Sequence, residues 1–548
     1  MNPKARSRYR LLLRACFLAL PVSLVFPLAQ NASAADGTWN ADAGGNWTVD
    51  TGTNWAGGTV AQGTDSTGIF NTVNITSNRT VTLTASLTIG NLTFGDATTS
   101  SNSWTLAQTG SSVLTLQTTT GTPTITVDNQ TATISAGLGG NQGFTKAGAG
   151  KLVLSGGHAL TGGFTVNAGT LDLWDTTSAY SNDINLASSG SILDAANTGS
   201  STVTITGNIT GSGKISKTSG SSTLILTGNN DFTGGVTLGA GGMVVGSGTN
   251  NSIGTGTLTL NTGSFRASDN NSRTFANTIA MGSGALRFGG LQGDTTGLGN
   301  LTFTSTVSTS IGGAKTWTIN NATVVSFANN WSGNSGWTVT KAGTGTLVFN
   351  GNLTSNGVGL IVSAGQMVLN GVTNSYTGAT TVNGGTLMVN GGITASAVTV
   401  NTGGRIGGTG SVGAVTFSSG AAIAYEVATA AQGGDGLTTT GFTGTGVGSF
   451  TIYLSGAATG FNATSDYTWA VLSSNTTDIA SIVLSNITLD TSAFGQAYTG
   501  TFNLSKDAGS IYVNYVASAI PEPSTYAMIA GGALLGFAAM RRRRVTSV

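Results

Sequence analysis

The side chains that most often carry acid–base catalysis are scarce in this sequence. Between residues 35 and 519, which we call the body of the chain, there is one glutamate, Glu426, and one histidine, His158, and the aspartates are scattered. Enzymes that cut polysaccharides need clustered carboxylates, with calcium or basic groups to stabilise developing charge. We therefore predict no catalytic residue, no metal site and no cofactor. His158 is predicted to lie in a solvated loop.

The richest group of acidic and aromatic residues lies near the start of the body, in GTWNADAGGNWTVDTGTNW. Its members are Trp39, Trp47 and Trp55, and the interleaved Asp36, Asp42 and Asp50. Tryptophans at eight-residue steps could stack on sugars, and the carboxylates could hold calcium. We favour the other interpretation, in which the indoles plug the open end of a repetitive fold, because such an end is prone to aggregation.

Three lysines occupy the same position in an internal repeat. The segment FTKAGAGKLVLSG around Lys146 returns as VTKAGTGTLVFNG around Lys341, and a copy around Lys217 is one residue longer before its strand. Recurrence at one repeat position predicts a structural role on the outer face rather than an active centre.

The repeat also predicts the fold. Runs such as Leu-Val-Leu and Leu-Ile-Leu alternate, which is typical of half-buried strands, and they are separated by turns rich in Gly and Asn. Units this short bury their apolar side chains only by stacking on their neighbours. We predict an all-β parallel β-helix with terminal caps and a short C-terminal hydrophobic helix. At roughly 20–25 residues per coil and about 4.8 Å between coils, the rod would be on the order of 100 Å long.

The repeats resemble a known family. The segments around the three lysines, and NSYTGATTVNGGTL at 374–387, are similar to the autotransporter-associated β-strand repeat of bacterial surface proteins. The resemblance covers about residues 140 to 420. It implies an extracellular, passenger-type β-helix without a defined catalytic activity.

The first 34 residues have the pattern of a secretory signal. A basic segment ends at Arg14, an apolar stretch follows from Ala15 to Ala29, and small residues precede a predicted cleavage site after Ala34. Signal peptidase is therefore an expected partner. The single cysteine, Cys16, lies inside this segment.

Once both basic ends are set aside, the body is mildly acidic, which argues against nucleic acid as a partner.

The C-terminal end combines three features in order. A motif comes first, formed by Pro521, Glu522 and Pro523. An uncharged stretch from Thr525 to Met540 follows, and it would span about 24 Å as a helix, against about 30 Å for a hydrocarbon core. Four arginines complete the tail, Arg541, Arg542, Arg543 and Arg544. We predict a transmembrane helix that inserts transiently in the inner membrane, with the arginines as a cytoplasmic stop.

This tail resembles the PEP-CTERM sorting signal of Gram-negative bacteria. The resemblance implies recognition by an exosortase-type membrane transpeptidase, removal of the tail, and release to the cell surface or its exopolysaccharide. A permanent inner-membrane anchor is the other interpretation of the same residues.

Together these features predict a secreted structural or adhesin-like protein of the cell surface or extracellular matrix, with extracellular polysaccharide as a further partner. The alternative is a polysaccharide-degrading or polysaccharide-binding enzyme on a β-helix scaffold. The predicted division is a signal peptide at 1–34, an N-terminal cap and first coils at 35–135, the repeat β-helix at 136–424, C-terminal coils or cap at 425–519, and the sorting signal at 520–548.

Overall fold

The computed structural model describes residues 34–48, 52–98, 102–174, 179–197, 199, 201–246, 251–333, 336–430, 436–442, 449–519 and 523–545. The predicted signal peptide up to residue 33 lies outside these ranges, and so do Asp50, Pro521 and Glu522.

The described residues form short strands almost throughout. The first 25 strands are β1 (Gly37–Thr38), β2 (Gly45–Trp47), β3 (Gly63–Phe70), β4 (Arg79–Leu83), β5 (Leu87–Phe94), β6 (Trp104–Gln108), β7 (Val113–Leu116), β8 (Thr124–Val127), β9 (Thr131–Ile134), β10 (Gly137–Gly140), β11 (Phe144–Ala147), β12 (Lys151–Leu154), β13 (His158–Leu160), β14 (Phe164–Val166), β15 (Thr170–Leu173), β16 (Ile184–Leu186), β17 (Ile192–Asp194), β18 (Thr202–Ile205), β19 (Ile209–Gly211), β20 (Lys214–Lys217), β21 (Thr223–Leu226), β22 (Val236–Leu238), β23 (Gly242–Val245), β24 (Leu258–Leu260) and β25 (Gly263–Ala267).

The later strands are β26 (Arg273–Phe275), β27 (Ile279–Met281), β28 (Leu286–Phe288), β29 (Leu301–Phe303), β30 (Thr309–Ile311), β31 (Lys315–Ile319), β32 (Val324–Phe327), β33 (Trp331–Gly333), β34 (Thr338–Ala342), β35 (Thr346–Phe349), β36 (Gly359–Val362), β37 (Gln366–Leu369), β38 (Thr380–Val382), β39 (Gly385–Val389), β40 (Gly392–Ile393), β41 (Val398–Val400), β42 (Gly404–Gly407), β43 (Ser411–Val412), β44 (Val415–Phe417), β45 (Ala421–Glu426), β46 (Leu437–Thr439), β47 (Phe450–Gly456), β48 (Tyr467–Ser474), β49 (Ile487–Phe494), β50 (Thr501–Lys506) and β51 (Ser510–Val516). Short 3₁₀ helices lie at Ala56–Gly58, Thr477–Ser481 and Leu484–Asn486, and one α-helix, α1, spans Pro523–Val545.

These strands stack in register into long parallel sheets that run along the molecule. One sheet follows the order β2-β4-β6-β9-β12-β15-β17-β20-β22-β24-β27, and another follows β18-β21-β23-β25-β28-β31-β34-β36-β38-β41-β44. In the first of these, Leu152 pairs with Leu171 and Leu171 with Leu193, so the same position recurs once per coil. The fold is therefore the predicted parallel β-solenoid, with about 15 turns.

The coils are less regular than the sequence suggests. Leu152 lies nineteen residues before its partner, whereas Leu286 pairs with Trp317, thirty-one residues later. Loops inserted at the corners lengthen such turns without adding height. About 15 turns, each rising about 4.8 Å, give a rod of roughly 70 Å, which is shorter than the predicted length.

The core is a continuous apolar column inside the coils. In β35, Leu347 and Phe349 are buried, while Thr346 and Val348 point outward and are half-buried. Burying a leucine or phenylalanine side chain stabilises a fold by about 1.5–3 kcal/mol. Rings also stack on rings: Phe303 lies 4.8 Å from Phe327 between centroids, and Phe349 continues the ladder at 6.1 Å.

Some corners of the coils require glycine. Gly148 and Gly343 occupy the same repeat position, and both have φ near +75°. A Cβ at either position would overlap a backbone carbonyl of the preceding coil, at Val127 or Ile319. Only glycine combines the left-handed conformation with this close approach.

The solenoid changes character towards its C-terminal end. β45, β47 and β49 still pair in parallel, but β51 pairs antiparallel with both β48 and β50. The boundary predicted at residue 425 falls inside β45, and the division into cap and coils stays a prediction.

The tail forms the predicted short C-terminal helix, α1. Within the described residues, no helix is both long enough and apolar enough to cross a membrane. In α1 the uncharged stretch before Arg541 is 16 residues long and contains three glycines, which contribute little hydropathy. The predictions of a transmembrane helix and of transient inner-membrane insertion therefore have no support from the described residues. The interpretation of Arg541, Arg542, Arg543 and Arg544 as a cytoplasmic stop depended on that span and has no support from α1.

The stacked core makes a testable prediction about one strand. Leu347→Ala should lower the free energy of unfolding by about 3 kcal/mol, because it leaves a cavity between the coils. Urea denaturation followed by circular dichroism measures the loss. Val348→Ala is the matched control on the outward face of β35 and should cost less than about 1 kcal/mol. Equal losses for both variants would contradict the inward and outward assignment.

Candidate functional site

The tryptophan cluster closes the N-terminal end of the core. Trp39 and Trp47 have no exposed surface and Trp55 has 2%. Trp55 lies 5.3 Å from each of the other two rings between centroids, and all three rings pack on Phe70. The indole of Trp47 donates a hydrogen bond of 3.0 Å to the carbonyl of Ala61. Rings buried in this way present no face to a sugar. The structure therefore agrees with the interpretation that the indoles plug the end of the fold.

Asp36 and Asp42, the two aspartates of this segment that the structure describes, hold neighbouring backbone amides. Asp36 accepts a 2.7 Å hydrogen bond from the amide of Thr67. Asp42 accepts from both the amide and the hydroxyl of Thr76 and forms an ion pair of 2.7 Å with Arg79. The Thr76 hydroxyl and the Arg79 guanidinium lower the pKa of Asp42. Within the described ranges, no three Cys, His, Asp or Glu side chains converge on a point where a metal ion could bind.

The single glutamate and the single histidine of the body both lie in strands. Glu426 is the exposed last residue of β45. His158 is half-buried at the start of β13, in register with Leu138, and its ring stacks on Tyr180 at 4.3 Å between centroids. The prediction of a solvated loop at His158 is therefore wrong. The segment after two glycines pairs with β10 of the preceding coil and so forms a strand.

The three repeat lysines are fully buried, so the prediction of an outer-face position is wrong. Lys146 and Lys341 follow an inward-facing Phe144 and Val339 by two residues, and therefore point inward themselves. This alternation is visible in the sequence and could have predicted their burial. Lys217 has the same position in β20.

Each ammonium is held by backbone carbonyl groups. The Nζ of Lys146 donates to the carbonyls of Ala147, Gly148 and Ala168 at 2.7, 2.7 and 3.1 Å. The Nζ of Lys341 donates to those of Ala342, Gly343 and Ala364 at 3.0, 2.8 and 3.0 Å. One acceptor is the last residue of the same strand, one is the glycine that follows it, and the third comes from the next coil. We call each arrangement a lysine cage.

The lysine cages satisfy the three donors of the ammonium and tie neighbouring coils together. Burial nevertheless lowers the pKa of Lys146 and of Lys341 to about 8. Burial also lowers the pKa of Lys217, whose Nζ donates to Ser219 and Gly220. The cages are internal parts of the fold, and their position excludes contact with a ligand outside the rod.

A cluster of charged residues that sequence reasoning missed lies on neighbouring coils. Lys151 in β12, Asp172 in β15 and Asp194 in β17 meet because Val153 pairs with Asp172 and Asp172 with Asp194. The Nζ of Lys151 lies 2.8 Å from Asp172 Oδ2 and 3.9 Å from Asp194 Oδ2. The aspartates looked scattered because they are separated by a whole coil in sequence.

The two carboxyl groups of this cluster have different environments. Asp172 has no exposed surface, and its Oδ1 accepts a 2.9 Å hydrogen bond from the amide of Ala196. Asp194 is 7% exposed. Burial, followed by the charge of Asp172, raises the pKa of Asp194 to about 6. Asp194 therefore takes up a proton at a higher pH than an ordinary aspartate does.

An outward surface of the later repeats carries a ladder of amides. The side chains of Asn350, Asn370 and Asn390 follow β35, β37 and β39 directly. Asn370 donates to Asn350 at 2.8 Å, and Asn390 donates to Asn370 at 2.9 Å. The half-buried Val348 and Val368 lie beside the ladder. We call this surface the asparagine face, and it combines uncharged hydrogen-bonding groups with apolar rungs.

Comparison with known families confirms both predicted resemblances. Residues 144–173, 218–245, 339–366 and 362–389 match the passenger-associated-transport-repeat. Residues 519–544 match the PEP-CTERM protein-sorting motif. The two repeat matches at 339–389 contain Lys341 and the asparagine face.

Two individual proteins are similar to parts of the chain. The adhesin BmaC autotransporter of Brucella suis biovar 1 (strain 1330) is 35% identical over 132 residues, which are 23% of this chain and 4% of that protein. A crystal structure of the Haemophilus influenzae Hap adhesin aligns with 82% of this chain and 64% of its own, at 12% identity and a TM-score of 0.27. The chain spans less than two thirds of the length of both relatives.

The lysine cages make a prediction about stability. Lys341→Met should lower the free energy of unfolding by about 3 kcal/mol, since it leaves three buried carbonyl groups without a donor. Chemical denaturation at pH 7 measures the change, and Lys214→Met, at an exposed position of β20, is the control that should be almost neutral. A Lys341→Met protein as stable as the wild type would show that the cage contributes nothing beyond packing.

Proposed function

We propose that this chain is a secreted, surface-associated, adhesin-like β-solenoid that an exosortase-type membrane transpeptidase processes at its C-terminal motif. The observation that carries the proposal is the presence, in one chain, of transport-associated repeats and a sorting motif. The similarity of 132 residues to a protein named as an adhesin supports the same class of function. The proposed recognition residues are Pro521, Glu522 and Pro523.

Signal peptidase is proposed to cut after Ala34, and the exposure of this residue supports that position. Ala34 is exposed, and the next residue, Ala35, exchanges two backbone hydrogen bonds with Gln62 at 2.9 and 3.1 Å. Cleavage by signal peptidase would therefore leave the new N-terminus at the edge of the tryptophan plug.

The asparagine face is the proposed contact surface for neutral extracellular polysaccharide. Amide groups can donate to and accept from sugar hydroxyls, and the low charge of the chain, 7% of residues, gives little electrostatic selectivity. Single contacts of this kind are weak, so useful affinity would come from repetition along the rod.

The alternative function is a polysaccharide-degrading enzyme on the same scaffold, and the cluster of Asp172 and Asp194 is its best candidate site. Catalysis would require substrate to reach both carboxyl groups, whereas Asp172 is fully buried and both its oxygens already accept hydrogen bonds. This geometry favours the non-enzymatic function. Release of reducing ends from a panel of polysaccharides would support the alternative.

The sorting proposal predicts the mass of the mature protein. In a Gram-negative host that has the transpeptidase, the secreted protein should begin at Ala35 and lack residues beyond the Pro-Glu-Pro motif. Glu522→Ala should retain the tail, because it removes the charge of the motif, while Glu426→Ala should be processed normally. Intact-mass spectrometry of fractionated cells measures this. Wild-type protein at the cell surface with Arg541 to Arg544 still attached would contradict the proposal.

The binding proposal predicts a surface-specific loss. Replacing Asn350, Asn370 and Asn390 together by alanine should weaken retention on an insoluble neutral glucan by at least about tenfold, since the contacts act cooperatively. The matched control replaces Thr381 and Thr399, on a different outward face, and should bind like the wild type. Co-sedimentation at several protein concentrations measures both. Equal binding by all three proteins would exclude the asparagine face as the contact surface.

A further inference from the structure

The Lys151–Asp172–Asp194 cluster has the geometry of a condensation site. Its amine and its carboxyl group lie on consecutive coils and are already in contact, with 2.8 Å between Nζ and Oδ2. Groups held in this way react as if at a very high local concentration. The carbon that would be attacked belongs to Asp172, whose side chain is completely shielded from water.

We propose that Lys151 and Asp172 join through an intramolecular amide bond, with Asp194 as the proton-transferring group. The bond would connect strand β12 to strand β15 and so tie one coil covalently to the next. It would do so in a chain whose single cysteine precedes the body, where disulfides are therefore not available. This inference does not depend on the proposed function.

The reaction balances without an added reagent. Proton transfer from Nζ of Lys151 to Oδ2 of Asp172 gives a neutral amine and a neutral carboxylic acid. The nitrogen lone pair attacks Cγ, and the electrons of the carbonyl bond move to Oδ1. The amide of Ala196, 2.9 Å from Oδ1, stabilises the charge that develops there.

Collapse of the tetrahedral intermediate releases water. The bond from Cγ to Oδ2 breaks, the protonated carboxyl of Asp194 donates a proton to the departing hydroxyl group, and Asp194 takes back the extra proton from the nitrogen. One ammonium and one carboxylate thus become one amide and one water molecule. Asp194 is returned to its starting state, which is general acid–base catalysis.

The surroundings of Asp194 suit this role. Burial and the neighbouring Asp172 raise the pKa of its carboxyl group, and the charges of Lys151 and Lys217 lower it. The pKa of about 6 that results keeps a usable fraction of the acid protonated near neutral pH. Its Oδ2 lies 3.9 Å from the attacking nitrogen, within reach after a small side-chain movement.

Peptide mapping of the denatured full-length protein tests the bond. Trypsin cleaves after Lys146, Lys151 and Lys214, and no other lysine or arginine lies between Lys151 and Lys214. A free Lys151 therefore yields two peptides, 147–151 and 152–214. The amide blocks cleavage at Lys151 and yields one peptide, 147–214, lighter than its sequence mass by one water molecule. The expected result is this single peptide from folded, secreted protein.

Variants separate the bond from a simple ion pair. Lys151→Arg keeps the positive charge but cannot form the amide, and Asp194→Asn keeps the size but cannot donate the proton. Lys151→Arg should abolish the water loss, and Asp194→Asn should reduce the linked fraction by at least about tenfold. Lys214→Arg, on the exposed side of β20, should retain the bond. Circular dichroism establishes that each variant is folded.

Two outcomes would overturn the inference. One is recovery of unmodified 147–151 and 152–214 from folded wild-type protein, which would leave only an ion pair. The other is water loss on 152–214 with Lys151 still cleaved, which would place the modification on an aspartate alone.

Discussion

The hydrogen-bonded stacking of one coil on the next is the interaction on which the whole structure depends. Each short strand has too few apolar side chains to fold alone, and it gains a core only from the coils above and below it. Because the pairing is parallel and in register, each strand position meets one position of the next coil, and similar residues at such positions form ladders along the axis. The leucine, phenylalanine and asparagine ladders are all consequences of this rule.

The same rule limits the charges that the chain can carry. Like charges stacked at about 4.8 Å repel each other, which accounts for a surface dominated by Thr, Ser, Asn and Gly. The exceptions show how the repulsion is relieved. Asp172 and Asp194 are in register, and the second has a raised pKa beside Lys151. The repeat lysines are instead turned inward, where carbonyl groups replace water around each ammonium.

The two ends of the solenoid are closed by structures that differ from the stacked coils of the middle. At the N-terminal end, three indoles and Phe70 fill the opening of the core. At the C-terminal end, the antiparallel pairing of β51 with β48 and β50 ends the parallel progression. Both arrangements remove an open strand edge on which another chain could stack and so reduce the risk of aggregation.

The amino-acid sequence by itself determined the class of fold, the repeat, the inward alternation, the indole plug and the sorting motif, because these are local patterns of residue type and spacing. It did not determine which residues one coil apart would meet. Paired positions on neighbouring coils lie seventeen residues apart at Val398 and Val415 but thirty-seven apart at Phe450 and Ile487. The register that joins Lys151, Asp172 and Asp194 therefore exists only once the corners have folded. The same stacking forms the cages around Lys146 and Lys341 and places His158 in a strand. It also sets the length of the rod. Contacts between distant segments are set by the tertiary structure, since the loops that decide the register carry no periodic signal.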